Sequence, residues 1–335
     1  MAVQLLFSLA VFTLSMIANV TFALLQKDQI INLITFGDSY TDVDLVWDGG
    51  LPWPKYAVQY VDASRVGDDG KSTTSLDLYP FAKSGAVCST ELTPSIYDSL
   101  YEKQLPALYA SEKNGTIPST VTPDNSLYTL WIGTNDVGAW GLLTGHEIGN
   151  ATVVDTVQCA VNWVKTLYDR GARNFLWQNM IPLEFAPMYL PDAYPNKFTT
   201  EIKNATAWHL GMKELTSAGN EIAKLLLEKF VPSLEGAHVG LFDSHALFSD
   251  IHAHPEAYLN GTAALNVVDP TYSCIYTELQ DVTETVPCTT VEGTDRDSYM
   301  WWDELHPSEQ TNRVLAKQIA QVILGEENKW TTWLS

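Results

Sequence analysis

An α/β architecture, with a parallel sheet covered by helices on both faces, is the fold class this sequence of 335 residues predicts, and two observations carry it. Short continuous apolar runs of strand length recur along the chain, and longer stretches between them repeat their apolar residues every three to four positions. Taken in order, Ile30 to Phe36 is broken only by Asn32 and Thr35 and ends at Gly37, which fits a buried strand closing in a sharp turn. Leu127 to Ile132 repeats the pattern before Gly133, and Asn174 to Met180 and Ala237 to Phe242 each follow a helical stretch. One helical face is made by Val153, Val157, Val161, Val164 and Tyr168, another by Trp208, Met212, Leu215, Ile222 and Leu226. A last helix is predicted to open at Pro307 and to run through Val314, Leu315, Ile319 and Val322. Asp42 to Ser126, rich in Pro, Gly, Asp and aromatics, and Ile181 to Asn204, rich in Pro and aromatics, read as long loops. No repeat or composition break divides the chain, so residues 24–335 read as one domain whose ligands bind beyond the carboxyl ends of the strands.

With 46% hydrophobic and 18% charged residues, 11 Trp and 15 Tyr, the composition excludes a disordered chain or a fibre. A net charge of −21 repels phosphate backbones and anionic membranes, which argues against nucleic-acid partners. Residues 1–23 carry no charge, and the apolar run from Leu5 to Ile17 is interrupted by Ser8, Thr13 and Ser15. That run is shorter than the roughly 20 residues a bilayer requires, so it reads as a signal peptide cleaved near Ala23 rather than an anchor. The expectation is a secreted, extracellular product with no stable membrane insertion. Asn-x-Thr triplets at Asn114, Asn150, Asn204 and Asn260 agree with export, whereas Asn19 lies inside the leader. Four cysteines allow three pairings. The polar, Thr-rich segment between Cys274 and Cys288 looks like a loop needing a staple, leaving Cys88 with Cys159 or, alternatively, as buried free thiols. Nothing in the sequence indicates an oligomeric state.

Phe36-Gly37-Asp38-Ser39 sets a serine at a strand-to-helix turn, where its hydroxyl can project into a cleft. Alone, such a segment more often caps a helix. A nucleophilic serine needs a base and donors for an oxyanion. Asp303 and His306 stand three residues apart before a helix, so one ring nitrogen can face the carboxylate and the other the serine. Gly133-Thr134-Asn135-Asp136 leaves another strand end with an amide donor, and Ser84-Gly85-Ala86 offers an unobstructed backbone N–H. Rival groupings are weaker. His252 and His254 near Asp250 lack a third metal ligand at recognisable spacing, and Asp243 with His245 reads as strand-end hydrogen bonding. Trp47, Trp53, Trp140, Trp301 and Trp302 sit beside these blocks and could stack on sugar rings, with core packing as the competing role.

In this order the blocks at Gly37-Asp38-Ser39, Gly85, Gly133-Thr134-Asn135-Asp136 and Asp303-Glu304-Leu305-His306 resemble those of the SGNH, or GDSL-type, hydrolases. The resemblance spans nearly all of residues 24–335 and implies a three-layer α/β/α fold, flavodoxin-like, with a five-stranded parallel sheet. It implies Ser39 as nucleophile, His306 as base, Asp303 as its orienting partner, and an oxyanion hole of Ser39 N–H, Gly85 N–H and the Asn135 amide, with no cofactor and no metal. Tyr40 stands where the family name has Leu, and Ser84-Gly85-Ala86 has no wider match. Gly37 to Asp42, Leu51-Pro52-Trp53-Pro54 and Gln178 to Leu183 are similar to fungal acetylesterases of carbohydrate esterase family sixteen. That subgroup implies removal of acetyl groups from plant-wall oligosaccharides, with Trp53, Trp140 and Trp302 as candidate sugar platforms. The alternatives are a lipase or phospholipase-like acyl hydrolase and a catalytically silent carbohydrate-binding protein on the same fold.

Overall fold

Five parallel strands form the centre of the protein in a computed structural model that describes residues 25–44, 50–67 and 74–335. The leader expected over residues 1–23 lies outside the described residues, as does Trp47. In chain order the principal elements are β1 (Asn32–Gly37), α1 (Trp53–Ser64), β2 (Asp77–Pro80), α2 (Leu105–Asn114), β3 (Ser126–Trp131), α3 (Thr134–Val137), α4 (Val153–Tyr168), β4 (Asn174–Gln178), α5 (Ala205–Phe230), β5 (His238–Phe242) and α6 (Ser244–Ala253). There follow β6 (Asn266–Pro270), β7 (Tyr272–Cys274), β8 (Cys288–Thr290), β9 (Tyr299–Trp301), α7 (Glu309–Ile323) and β10 (Thr331–Trp333). The sheet order is β2-β1-β3-β4-β5, with β10 added antiparallel along β5. The chain reverses direction across the sheet between β1 and β3, the place where open α/β sheets leave a crevice for ligands.

Side chains alternate across each strand and so feed two cores. Leu33, Leu127 and Leu176 pack with α1, α6 and α7 on one face. Ile34, Phe36, Leu130, Phe175 and Trp177 pack with α2, α4 and the C-terminal half of α5 on the other. The expected face of α4 is the one it buries, through Val157, Val161 and Val164. Each such side chain contributes roughly 1.5–3 kcal/mol on burial. In α5 the buried stripe is Met212, Thr216, Gly219, Ala223 and Leu227, rotated slightly from the stripe read in the sequence.

Two expectations are corrected. The segment from Asp42 to Ser126 is not only loop: it holds α1, β2 and α2. The edge strand β2 pairs only with β1 and reads Asp-Leu-Tyr-Pro, with no apolar run to reveal it, and Pro80 is tolerated because an edge needs fewer N–H donors. The last helix opens at Glu309 rather than Pro307, because the Ser308 side chain caps it by accepting from Thr311 N at 3.1 Å. Both disulfides form: Cys274 with Cys288 across the β7–β8 hairpin, and Cys88 with Cys159 between the loop after β2 and α4. Asn114, Asn150, Asn204 and Asn260 are all exposed. Among the described residues no helix is long and apolar enough to cross a membrane.

Candidate active site

Ser39 leaves the end of β1 on a turn that only glycine permits. Gly37 has φ +143°, and a Cβ there would lie 2.1 Å from the Trp131 carbonyl oxygen of β3. Gln104 brackets the same glycine, accepting from its N–H at 3.1 Å and donating to its carbonyl at 2.8 Å. Asp38 N–H donates to the Trp131 carbonyl at 3.2 Å while the Asp38 carboxylate accepts from Tyr40 N–H at 3.1 Å. Between these anchors Ser39 is left half-buried.

The loop from β9 to α7 brings in the imidazole. Trp302 N–H donates to the His306 carbonyl at 2.8 Å, closing the loop on itself. Asp303 Oδ1 accepts from Leu305 N–H at 2.9 Å, His306 N–H at 2.7 Å and His306 Nδ1 at 2.9 Å, and Oδ2 lies 3.0 Å from the same ring nitrogen. A carboxylate on that side fixes the proton at Nδ1 and leaves Nε2 to accept. Nε2 lies 2.8 Å from Ser39 Oγ. Asp303 is fully buried, which opposes its charge, but the charge and hydrogen bond of His306, followed by those of Lys197, outweigh burial and hold it at about 2.

Asn135 and Gly85 come from two further strand ends, and their loops are joined through the residue after Gly85. Asn135 Nδ2 donates to the Ala86 carbonyl at 2.8 Å, and a primary amide keeps a second N–H to offer. Asp136 accepts from Cys88 N–H at 3.1 Å and from Thr93 Oγ1 at 3.2 Å, tying the same loop to α3. Asp42 holds its other side, accepting from Ser84 N–H at 2.9 Å and Ser84 Oγ at 3.2 Å. Gly85 has φ +72°, and a Cβ would strike the Tyr97 ring at 2.3 Å, so the tight loop needs glycine twice over. Burial, opposed by the Tyr40 N–H and reinforced by the Asp136 charge, pushes Asp38 up to about 7, and burial likewise pushes Asp136 up to about 7 against the Cys88 N–H and Thr93.

Several residues at this site escaped sequence reasoning. Lys197 Nζ sits 2.7 Å from Asp303 Oδ2, and the Phe198 ring lies 5.6 Å from that of His306. Both come from a stretch read simply as loop, and no local pattern marks them. Tyr40, the departure from the family pattern, packs edge-on to His306 and donates from its hydroxyl to the Leu305 carbonyl. Glu304 accepts from the Tyr194 hydroxyl at 3.0 Å and, at a long 3.4 Å, from Cys274 N–H, connecting the disulfide hairpin to the loop of His306.

The tryptophans separate by exposure. The platform role expected for Trp53 is corrected: its ring is completely buried against the sheet and its Nε1 donates to Thr41 Oγ1 at 3.3 Å, so no sugar can reach it. Trp301 is likewise core. Trp302 retains 6% exposure, with its ring stacked on Tyr272 and 6.1 Å from His306, so it forms wall rather than platform. Trp140 is 54% exposed just beyond α3. The rival pair is otherwise engaged: Asp243 caps α6 through Ala246 N–H and accepts from Asn179 Nδ2, while His245 N–H donates to Asn179 Oδ1. His252 stacks on Phe185, and among the described residues no group of three or more His, Cys, Asp or Glu is placed to hold a metal ion.

Comparison with known proteins adds three findings. The family model described as GDSL-like lipase/acylhydrolase matches residues 33–319. An acetylesterase of Hypocrea jecorina is 28% identical, covering 93% of this chain and 94% of its own, and an acetylesterase of Thermothelomyces thermophilus is 23% identical, covering 88% of each. A solved acetylxylan esterase from Geobacillus stearothermophilus aligns with a TM-score of 0.43 at 13% identity, covering 90% of this chain and 97% of its own.

Proposed function

Because the chain belongs to the GDSL-like lipase/acylhydrolase family and is a carboxylic ester hydrolase, we propose that it removes acetyl groups from plant-wall oligosaccharides through an acyl-enzyme on Ser39. The observation that carries this reading is the continuous relay from Asp303 through His306 to Ser39 Oγ. His306 Nε2 takes the hydroxyl proton as Ser39 Oγ attacks the acetyl carbonyl carbon. The oxyanion is held by the N–H groups of Ser39 and Gly85 and by the Asn135 amide, and Asp303 stabilises the imidazolium that forms. His306 returns its proton to the sugar oxygen as the C–O bond breaks. A water, deprotonated by the same nitrogen, then attacks the acetyl-serine, and collapse releases acetate and restores Ser39. This chemistry calls on no cofactor.

The acetyl preference and the carbohydrate substrate draw on the two fungal relatives named acetylesterase, and secretion on the two disulfides and the exposed Asn-x-Thr sites. The test combines Ser39→Ala with a series of chromogenic acyl esters. Loss of both fluorophosphonate labelling and acetate release is expected, with wild-type rates falling steeply from acetyl to long acyl chains. Labelling at another serine would refute the nucleophile, and a preference for long chains would move the protein to the lipase alternative.

A further inference from the structure

Asp303 is shared by two nitrogen donors, Lys197 and His306. Lys197 Nζ lies 2.7 Å from Oδ2, whose carboxylate also receives His306 Nδ1. Lys197 and Phe198 are the two central residues of a tight turn closed by reciprocal backbone bonds between Asn196 and Thr199, at 3.0 and 3.1 Å. Asn196 braces the turn from within, its side chain accepting from Phe198 N–H at 3.0 Å and donating to the Tyr194 carbonyl at 3.1 Å. The loop closed by Cys274 and Cys288 braces it from outside: Tyr276 N–H donates to the Pro195 carbonyl at 3.0 Å, and Leu279 N–H to the Thr200 carbonyl at 2.7 Å. Aromatic faces complete the setting, with the ammonium 4.3 Å from the Trp302 ring centroid, 5.0 Å from Phe198 and 5.3 Å from Tyr272. A lysine braced on this many sides is fixed, unlike the long side chains of ordinary surface ion pairs.

We propose that Lys197 is a positioning residue that acts through Asp303 to weaken the hold of His306 on a proton, extending ester hydrolysis to lower pH. The proposal rests on the reading of Ser39, His306 and Asp303 given above. A base works only while unprotonated. A buried carboxylate facing imidazole alone stabilises the imidazolium strongly, whereas one shared with an ammonium does so less, and the ammonium itself repels the second positive charge. The other groups facing the pair do not supply this effect. Tyr40 packs edge-on to His306 while its N–H donates to the Asp38 carboxylate, and Tyr194 is bonded to Glu304. Glu304, beside Asp303, is pushed toward its neutral form by burial and by the Asp303 charge.

The experiment is the pH profile of kcat/KM on a small chromogenic acetate for the wild type, Lys197→Met and Lys197→Arg, each also labelled with a fluorophosphonate and mapped. The acid limb of the Met variant should move upward by about one pH unit, a roughly tenfold loss below the limb, and arginine should restore it. Should the Met variant fail to fold, Lys197→Gln is read in the same way. A limb that stays in place, with equal loss at every pH, would overturn the role of Lys197 while Ser39 remained the labelled residue. Labelling that moves away from Ser39 would instead overturn the reading on which it rests.

Discussion

The Tyr40 hydroxyl donates to the Leu305 carbonyl at 2.9 Å, joining the turn after β1 to the loop that carries His306. Both groups are buried, and Tyr40 follows Ser39 as Leu305 precedes His306, so this bond helps to set the separation of the two side chains. Tyr40→Phe keeps the ring and removes the donor, leaving a buried carbonyl unpaired at a cost of about 1–3 kcal/mol. A lowered thermal midpoint is expected, with kcat falling more than KM rises. An unaltered midpoint would mean that the carbonyl finds another partner.

Asn135→Ala removes one proposed oxyanion donor and also the bond to Ala86. A fall in kcat of ~10²-fold or more is expected while the fold persists. Near-normal kcat with an unchanged circular dichroism spectrum would assign the amide to loop support alone.

Stability and pH are linked through the two buried carboxyls. Asp38 and Asp136 have folded values raised from 3.8 to about 7, so the folded state binds more protons than the unfolded one between those values. Their contribution is full below about 3.8 and is lost as pH rises through about 7. Asp303, depressed to about 2, works oppositely, and its contribution is lost as pH falls from about 3.8 toward 2. Thermal midpoints should therefore climb from pH 8 to about 5 and fall again in strong acid. The slope above pH 5 should flatten in Asp136→Asn, and an equal slope in that variant would place the effect elsewhere.

Trp140 and Trp302 should respond differently to truncation. Trp140→Ala, at an exposed ring, should weaken action on acetylated xylo-oligosaccharides by about 1 kcal/mol or more while a small acetate is turned over normally. Trp302→Ala should impair both substrates, because that ring packs against Tyr272, Lys197 and His306. Parallel rates and thermal melts on the two variants distinguish the cases, and equal losses on both substrates for Trp140→Ala would remove it as a sugar platform.

Local pattern in the sequence carried the α/β class, since four of the five parallel strands are continuous apolar runs buried on both faces and α4 shows its period plainly. It carried the chemical types as well: a serine after a glycine turn, a carboxylate three residues from an imidazole, and an amide at another strand end. The edge strand β2 stayed hidden because an edge has no need of an apolar run, and Trp53 was misread because a tryptophan's letters do not reveal which side of a helix it faces. Only the tertiary structure decided that Ser39 Oγ and His306 Nε2 lie 2.8 Å apart, and that Lys197 reaches Asp303 from a turn that nothing nearby foretells. Periodicity and turn chemistry are properties of neighbours in the chain, whereas distance between side chains and the field around a buried charge depend on what the folded sheet gathers at the carboxyl ends of its strands.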